Sequence, residues 1–424
     1  MKKLVNMFSI IKNKLPTFKL PESLGQIFLI VFIWRVCLEA INQFIVPLIG
    51  SYGGVSSFID GITRWGSWDG NWYLGIVTTG YHYNSVIAST VQQNVAFFPG
   101  FPFVVRMFHD IFRLSYLYSG LLINFLLTVG IVFIACELYV IFCQKYNHTN
   151  QKQADTKLTN IWPVIIVLSL PTVFFFAAFY ADALLVFCLM SAIYFGLKKK
   201  YLMSAIFAGL ATGVNPIGVV AAPAILIMFI EQELVLKNSI KSIIKKYFLK
   251  LIAISLLSIN GIIFYMLYLW YRFKDPLAFY KSEKAWGRAS SSSFFSNMSN
   301  IWHAYYPHFF NLTYFGNAKF EYLIALSDMI LPFLALIILI ISIHKKVWWL
   351  FTYTLILILL PISTGSLGSL NRFALGLIPA LIFIYALLSK KIIKYIWIPI
   401  SLMAITQIIF IVIFLQNLIL YLVG

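Results

Sequence analysis

Acidic residues are scarce in this chain: 14 of 424 positions are Asp or Glu, against 32 Lys or Arg, and charged residues make up only 11%. With 61% hydrophobic residues and a mean hydropathy of +0.87, the sequence holds more apolar surface than a soluble core can bury. A soluble globular domain is excluded, and an all-α polytopic membrane protein is expected. Cysteine is equally sparse. Cys37, Cys136, Cys143 and Cys188 lie in or beside apolar runs without CxxC spacing, so they read as small core residues rather than a disulfide framework or metal set. No His or Cys pair stands at ligand spacing outside the apolar runs, and no metal or cofactor is expected. A GxGxxG signature is also missing, and the basic segments are too short for a nucleotide-sugar domain.

The net charge of +18 would suggest nucleic acid in a soluble chain. Here the basic residues sit in short segments between apolar runs, so no nucleic-acid partner is expected. Measured against the length that crosses a bilayer, the apolar runs predict eleven spans near 25–48, 115–144, 158–178, 181–197, 201–214, 216–230, 250–271, 321–343, 347–362, 371–388 and 392–421. The run 97–112, with Pro102, suits a further partial or surface helix. All of this reads as one membrane domain over 1–424.

Segments 1–24, 145–157, 198–200, 231–250, 344–346 and 389–394 carry 21 of the 32 basic residues, and the opposite side carries 10. The richer side should be cytoplasmic, with the N terminus there and the C terminus outside. This alternation needs "ATGVNPIGVVAAP" to break 201–230 into two spans; a single long span is the alternative, and it would invert everything after it. The first apolar run follows no secretory pattern and should remain as an anchor. Before it, Leu4, Met7, Phe8, Ile11 and Leu15 recur at helical spacing among lysines, which suits an interfacial segment or a frayed basic tail. Lys outnumbers Arg 25 to 7, which points to a bacterial plasma membrane.

Two long outer segments, 49–114 and 272–320, hold Asp60, Asp69, Asp110, Asp275 and Glu283, and a tight outer turn adds Asp182, so that most of the polar chemistry lies on this side. In "RWGSWDGNWYLGI", Trp65, Trp68 and Trp72 recur at i, i+3 and i+7 beside Arg64. That spacing predicts a short interfacial helix holding Asp69 at headgroup depth, or else an aromatic belt with an incidental acid. His82 in "GYHYN" can change charge near neutral pH or simply be solvated. Asp182, ending "FYAD", can cap a helix or act in a site. Asp275 before Pro276 can initiate a turn, while Trp286 and Arg288 follow in the same segment. Arg372 in "STGSLGSLNRF" can snorkel to lipid phosphate or bind substrate. Arg35 and Glu39, spaced i,i+4, are expected to pair along one helix.

In order, "WDGNWYLGIVTTGY", "AFFPGFP", "FYAD", "NPIG", "FKDPLAFYKSEKAWGR" and "NRF" resemble PIG-V-like mannosyltransferases of the GT-C superfamily, in a bacterial version, from about Trp65 to Phe373. The resemblance implies transfer of a sugar, mannose in the family, from a polyprenyl-phosphate donor to a glycolipid or envelope-polymer acceptor outside the membrane, with inversion. It also implies that the catalytic acid of the first outer loop is Asp69. Trp68, Arg64, His82, Asp182, Asn215, Asp275, Trp286, Arg288 and Arg372 become candidate substrate-binding residues. The sequence departs from the pattern at Asn71-Trp72, where His is usual, at Gln92 and Gln93, at Asp182 in place of Glu, and at Asn215 in place of Arg. A transporter or flippase of lipid-linked saccharides is the rival expectation; it predicts acids and broken helices near the midplane and repeat symmetry.

Overall fold

The structure, a computed structural model, describes residues 24–49, 58–146, 161–236, 239–288, 293–306, 319–388 and 390–415. The basic segment 1–24 therefore falls almost wholly outside the described residues, as do parts of both long connections. Every regular element among the described residues is helical. Six helices are long and apolar enough to cross a membrane, or seven if the pair Ile240–Ser258 and Asn260–Phe273, bent by 55°, is one span. Asp182–Leu197, Tyr201–Val214 and Trp348–Ile362 are shorter apolar helices. The protein is thus a multi-pass, membrane-embedded helical bundle. Its first long helix, Leu24–Leu48, buries only 17% of its apolar window and exposes Phe28, Leu29, Phe32 and Ile33. Such a surface suits lipid rather than water.

The expected run at 158–178 is not one helix. Trp162–Leu168 has seven residues, about 10 Å of rise, and is followed by turns and the 3-10 helix Val173–Phe176. A break like this leaves backbone carbonyls without helical partners, which is tolerated at membrane depth only when protein satisfies them. Gln407, on the helix Trp397–Leu415, does so: its Nε2 donates to the carbonyls of Leu168 at 3.1 Å and Leu170 at 2.9 Å. The helix Gly100–Phe112 matches the expected partial helix.

The break at Asn215-Pro216 is present. Tyr201–Val214 ends there, Asn215 Oδ1 accepts from Ile217 N at 3.0 Å, and the 3-10 helix Pro216–Val220 leads into Ala221–Val235. Glycine permits this fold locally, since a Cβ at Gly218 would collide with the backbone of Ala211 and Thr212. Gly261, just past the 55° bend, lies equally close to Gly209 O and Gly213 N.

The connection 58–81 is anchored through one acid. Glu39 pairs with Arg35 at 3.7 Å as expected, and its Oε2 also accepts from Trp65 Nε1 at 2.8 Å. Its Oε1 accepts from Asn42 and Gln43 across the π-helical turn Ile41–Ile45. On the long helix Tyr116–Tyr146, Gly120 leaves room for the Phe179 ring, and Asn124 one turn on donates to the carbonyls of Ala178 and Tyr180 at 2.6 and 2.9 Å. That fixes the "FYAD" turn.

Gly261→Val should lower the melting temperature of the detergent-solubilised protein by many degrees, because it drives a side chain into backbone. Gly75→Ala, where nothing lies within 4 Å of an added Cβ, should instead stabilise its helix by about 0.5–1 kcal/mol. Equal effects of the two substitutions would contradict the close crossing.

Candidate functional site

Asp69 is buried, with 6% of its surface exposed, not solvated at a headgroup-facing helix. The expected single helix does not form. Arg64–Gly66 is a 3-10 turn and the helix starts only at Asp69, running to Thr79. Between them Trp68 has φ 58° and ψ −122°, and Gly70 N donates to Ser67 O at 3.1 Å. These are the angles of the first central residue of a type II′ turn, where glycine is normal. A tryptophan there stores on the order of 1–3 kcal/mol of strain. Its indole N–H is held by the carbonyl of Phe414 at 3.3 Å, while Trp65 turns inward to Glu39. Buried indoles need such partners, so two of the three tryptophans anchor the loop inward instead of facing lipid.

The turn delivers Asp69 to Arg372. Arg372 Nη1 donates to Asp69 Oδ2 at 2.7 Å, and its Nη2 donates to Asp182 Oδ2 at 3.1 Å. The three side chains are about nine-tenths buried. The guanidinium lies 4.9 Å from the ring centres of both Phe175 and Tyr180, and its Nε has no hydrogen-bond partner among the described residues. Tyr180 ties the parts together, since its hydroxyl donates to Ser67 O at 3.2 Å and accepts from Asp69 N at 3.1 Å. Asp182 starts the helix Asp182–Leu197 without capping it; its carboxylate serves Arg372. Arg372 does not snorkel.

Arg372 is aimed by a third buried acid, Asp328. It lies in the short helix Leu370–Phe373, entered through Ser369 at φ 64°. Asp328 Oδ1 accepts from the Asn371 backbone N–H at 2.7 Å, Thr172 Oγ1 donates to Asn371 O at 2.9 Å, and Asn371 Nδ2 reaches Ser327.

A cavity of about 70 Å³ is lined by Asp69, Arg372, Asn215, Arg288 and Trp286 among others. It adds Glu283, whose carboxylate lies 3.8 Å from Arg288 Nε. Arg288 also lies over the Phe373 ring at 5.4 Å. Trp286 packs edge-on against Phe97 and Trp72 at 5.4 and 5.5 Å, and its Nε1 has no hydrogen-bond partner among the described residues. Two carboxylates on one guanidinium leave a negative charge that Arg372 does not cancel. Burial pushes the Asp69 carboxyl up, and the opposing pull of Arg372 does not bring it back to the ordinary range. Burial likewise raises Glu283, against the pull of Arg288 and with a smaller push from Asp69.

Of the residues singled out in the sequence, Asp69, Asp182 and Arg372 meet directly, and Asn215, Trp286 and Arg288 share their cavity. The others do not reach it. Trp68 is an anchor behind the site, and Arg64 contacts the carbonyl of Asn42 at 3.4 Å. His82 is exposed and lines a different recess. Asp275 is a clamp: it accepts from Tyr83 Oη at 2.9 Å, Lys281 Nζ at 2.8 Å and the backbone of Leu277 at 3.2 Å. Burial alone would raise its carboxyl, but these donors outweigh it and hold the group below the ordinary range. Sequence reading assigned no site role to Glu283, Asp328 or the Phe175–Tyr180 ring pair. The two acids had a signal, their scarcity in this chain; the rings had none. Compared with models of known protein families and with curated proteins, the chain matches none.

Removing one partner of a buried ion pair costs about 3–5 kcal/mol. Arg372→Met should therefore lower the melting temperature, and adding Asp69→Asn and Asp182→Asn should recover most of the loss; a triple variant no more stable than the single one would contradict the shared pairing. Asp328→Asn, which keeps an acceptor oxygen, should preserve the fold around Arg372, whereas Asp328→Leu should not. Protease sensitivity near residue 370 distinguishes the two.

Proposed function

We propose that the protein is an inverting glycosyltransferase of GT-C type, the class its sequence motifs resemble. It moves a sugar, mannose in the family, from a polyprenyl-phosphate donor to a glycolipid or envelope-polymer acceptor. The observation that carries this reading is the buried Asp69–Arg372–Asp182 cluster, opening on a cavity that also holds Arg288 and Trp286. The cluster has a guanidinium N–H without a partner among the described residues and an excess carboxylate beside a cavity, and perturbed carboxylates in clefts mark candidate sites.

In this mechanism the acceptor hydroxyl gives its proton to the Asp69 carboxylate as its oxygen bonds to the anomeric carbon from the face opposite the phosphate. The bond from that carbon to the phosphate oxygen breaks, and its electron pair leaves with the polyprenyl phosphate. The phosphate gains a negative charge as Asp69 loses one, so the charge of the site stays constant. Arg372 and Arg288 offset the charge on the leaving group. A phosphate needs no proton to leave, so one base is enough, unlike the paired carboxylates of glycoside hydrolysis. The raised Asp69 carboxyl is a stronger base than a solvated aspartate.

Eleven crossings fit this reading when the broken segment 162–178 and the bent pair each count as one. The site then lies at the outer face of a bacterial plasma membrane, with the N terminus inside and the C terminus outside. The bent pair and the Asn215 break also suit the rival transporter, although the ionised cluster lies where connections meet helix ends.

Reconstituted wild-type protein given radiolabelled polyprenyl-phosphate mannose should place label in a new glycoside, and Asp69→Asn should lower the rate by about 10²–10⁴, the contribution of a general base. Label crossing the bilayer with no new glycosidic bond, equally in both proteins, would support the transporter instead. The base must be ionised to act, so kcat should fall with acidification, the midpoint lying above the ordinary aspartate range. A midpoint at or below about 4 would contradict a raised Asp69.

A further inference from the structure

Beside the Asp69 cavity lies a second recess of about 470 Å³ that takes no part in the mechanism above. We propose that it seats the penultimate sugar of an oligosaccharide acceptor whose terminal hydroxyl reaches Asp69.

The two spaces share a wall. Trp72 lines the second recess and stacks on Phe97, 5.9 Å away at 13°, while Phe97 and Trp286 line the first. Trp72 follows Asp69 by three residues on one helix, so the two lie on one face with a rise of about 4.5 Å between them. That is comparable with the length of one hexose unit. A sugar bound against Trp72 would therefore direct its neighbour towards the acid across the ring contacts that Trp72 makes with Phe97 and Trp286.

The recess has the chemistry that a sugar requires. Its floor is aromatic, with Trp72, Tyr81, Tyr83 and Phe273, and it is held rigid. Tyr81 Oη donates to Phe97 O at 2.8 Å and Tyr83 Oη to Asp275. Two side-chain amides are consumed in fixing the loop: Gln93 exchanges two hydrogen bonds with the Asn84 backbone, and Asn94 bonds Gly80 O and His82 N. The exposed rim differs. Among the described residues Gln92 and Arg272 make no hydrogen bond or ion pair, Arg272 lying only over the Phe273 ring at 5.9 Å, and the His82 ring meets only the Thr79 hydroxyl, at 3.4 Å. A rigid apolar floor below free donors matches a sugar ring, whose C–H face is apolar and whose hydroxyls ring the edge. A lipid tail would offer the Gln92 amide and the Arg272 guanidinium no acceptor, whereas sugar hydroxyls would.

The acceptor role rests on the transferase reading, but the saccharide seat does not. The test uses full-length protein in nanodiscs, with methyl glycosides of mannose, glucose and galactose and their homodisaccharides as probes. Saturation-transfer NMR should show at least one disaccharide binding more tightly than its monosaccharide, and the Gln92→Ala/Arg272→Ala variant should lose that difference. No disaccharide binding, or binding unchanged in the variant, overturns the seat. With labelled donor added, the variant should raise the disaccharide KM about tenfold, the effect of a lost charge-assisted hydrogen bond, with donor KM unchanged. Binding without any transfer by the wild type would leave the seat standing and overturn both the acceptor role and the transferase reading.

Discussion

A guanidinium out of water has to be paired, and most of what is unusual in this protein follows from pairing Arg372. Its partners, Asp69 and Asp182, stand 303 and 190 residues away in sequence. The ends of several helices must therefore converge on one point. Each approach has its own tether: Glu39 and Phe414 for the Asp69 turn, Asn124 for the turn before Asp182, and Asp328 for the Arg372 backbone. Three of the four tethers are polar side chains within apolar helices, where polar groups are costly and tend to mark function.

Stability alone does not explain the cluster. Buried ion pairs frequently contribute less than an apolar replacement would, and this one has an excess carboxylate, an Nε with no hydrogen-bond partner among the described residues and a strained tryptophan immediately before the acid. Strain of this kind persists where the surroundings over-determine the backbone. Here the overdetermination is visible in the two bonds to Tyr180 and the one from the Trp68 indole. The result is an acid fixed at the edge of a cavity with its basicity raised, as a proton acceptor requires.

Much of the helical layout was legible because apolar runs of membrane length carry their own signal. Tyr116–Tyr146 and Trp397–Leu415 fall close to their expected places. The run 158–178 misled because hydropathy does not register a backbone break, and the group that satisfies this one, Gln407, is more than two hundred residues away. At the site, scarcity was the useful signal: in a chain with 14 acids, Asp69 and Asp182 stood out. Their meeting through Arg372 was not legible, nor was the diversion of Asp275 into a clamp by Tyr83 and Lys281. The tryptophan spacing at 65, 68 and 72 was real but its periodicity was misleading, since a turn at Ser67–Gly70 redirects the first two indoles inward.

The central claim is that the guanidinium shared by Asp69 and Asp182 is the seat of a lipid phosphate. Equilibrium binding of a short-chain polyprenyl phosphate to purified wild type, to Asp69→Asn and to the triple variant Arg372→Gln/Asp69→Asn/Asp182→Asn tests it most directly, since the triple variant removes the guanidinium together with both its carboxylate partners and leaves no buried charge of the cluster unpaired. Binding to wild type, undiminished in Asp69→Asn and weakened about tenfold or more in the triple variant, is the expected result for a lost charge-assisted contact. Equal affinity in all three proteins would contradict it and would leave Arg372 as a structural tie alone.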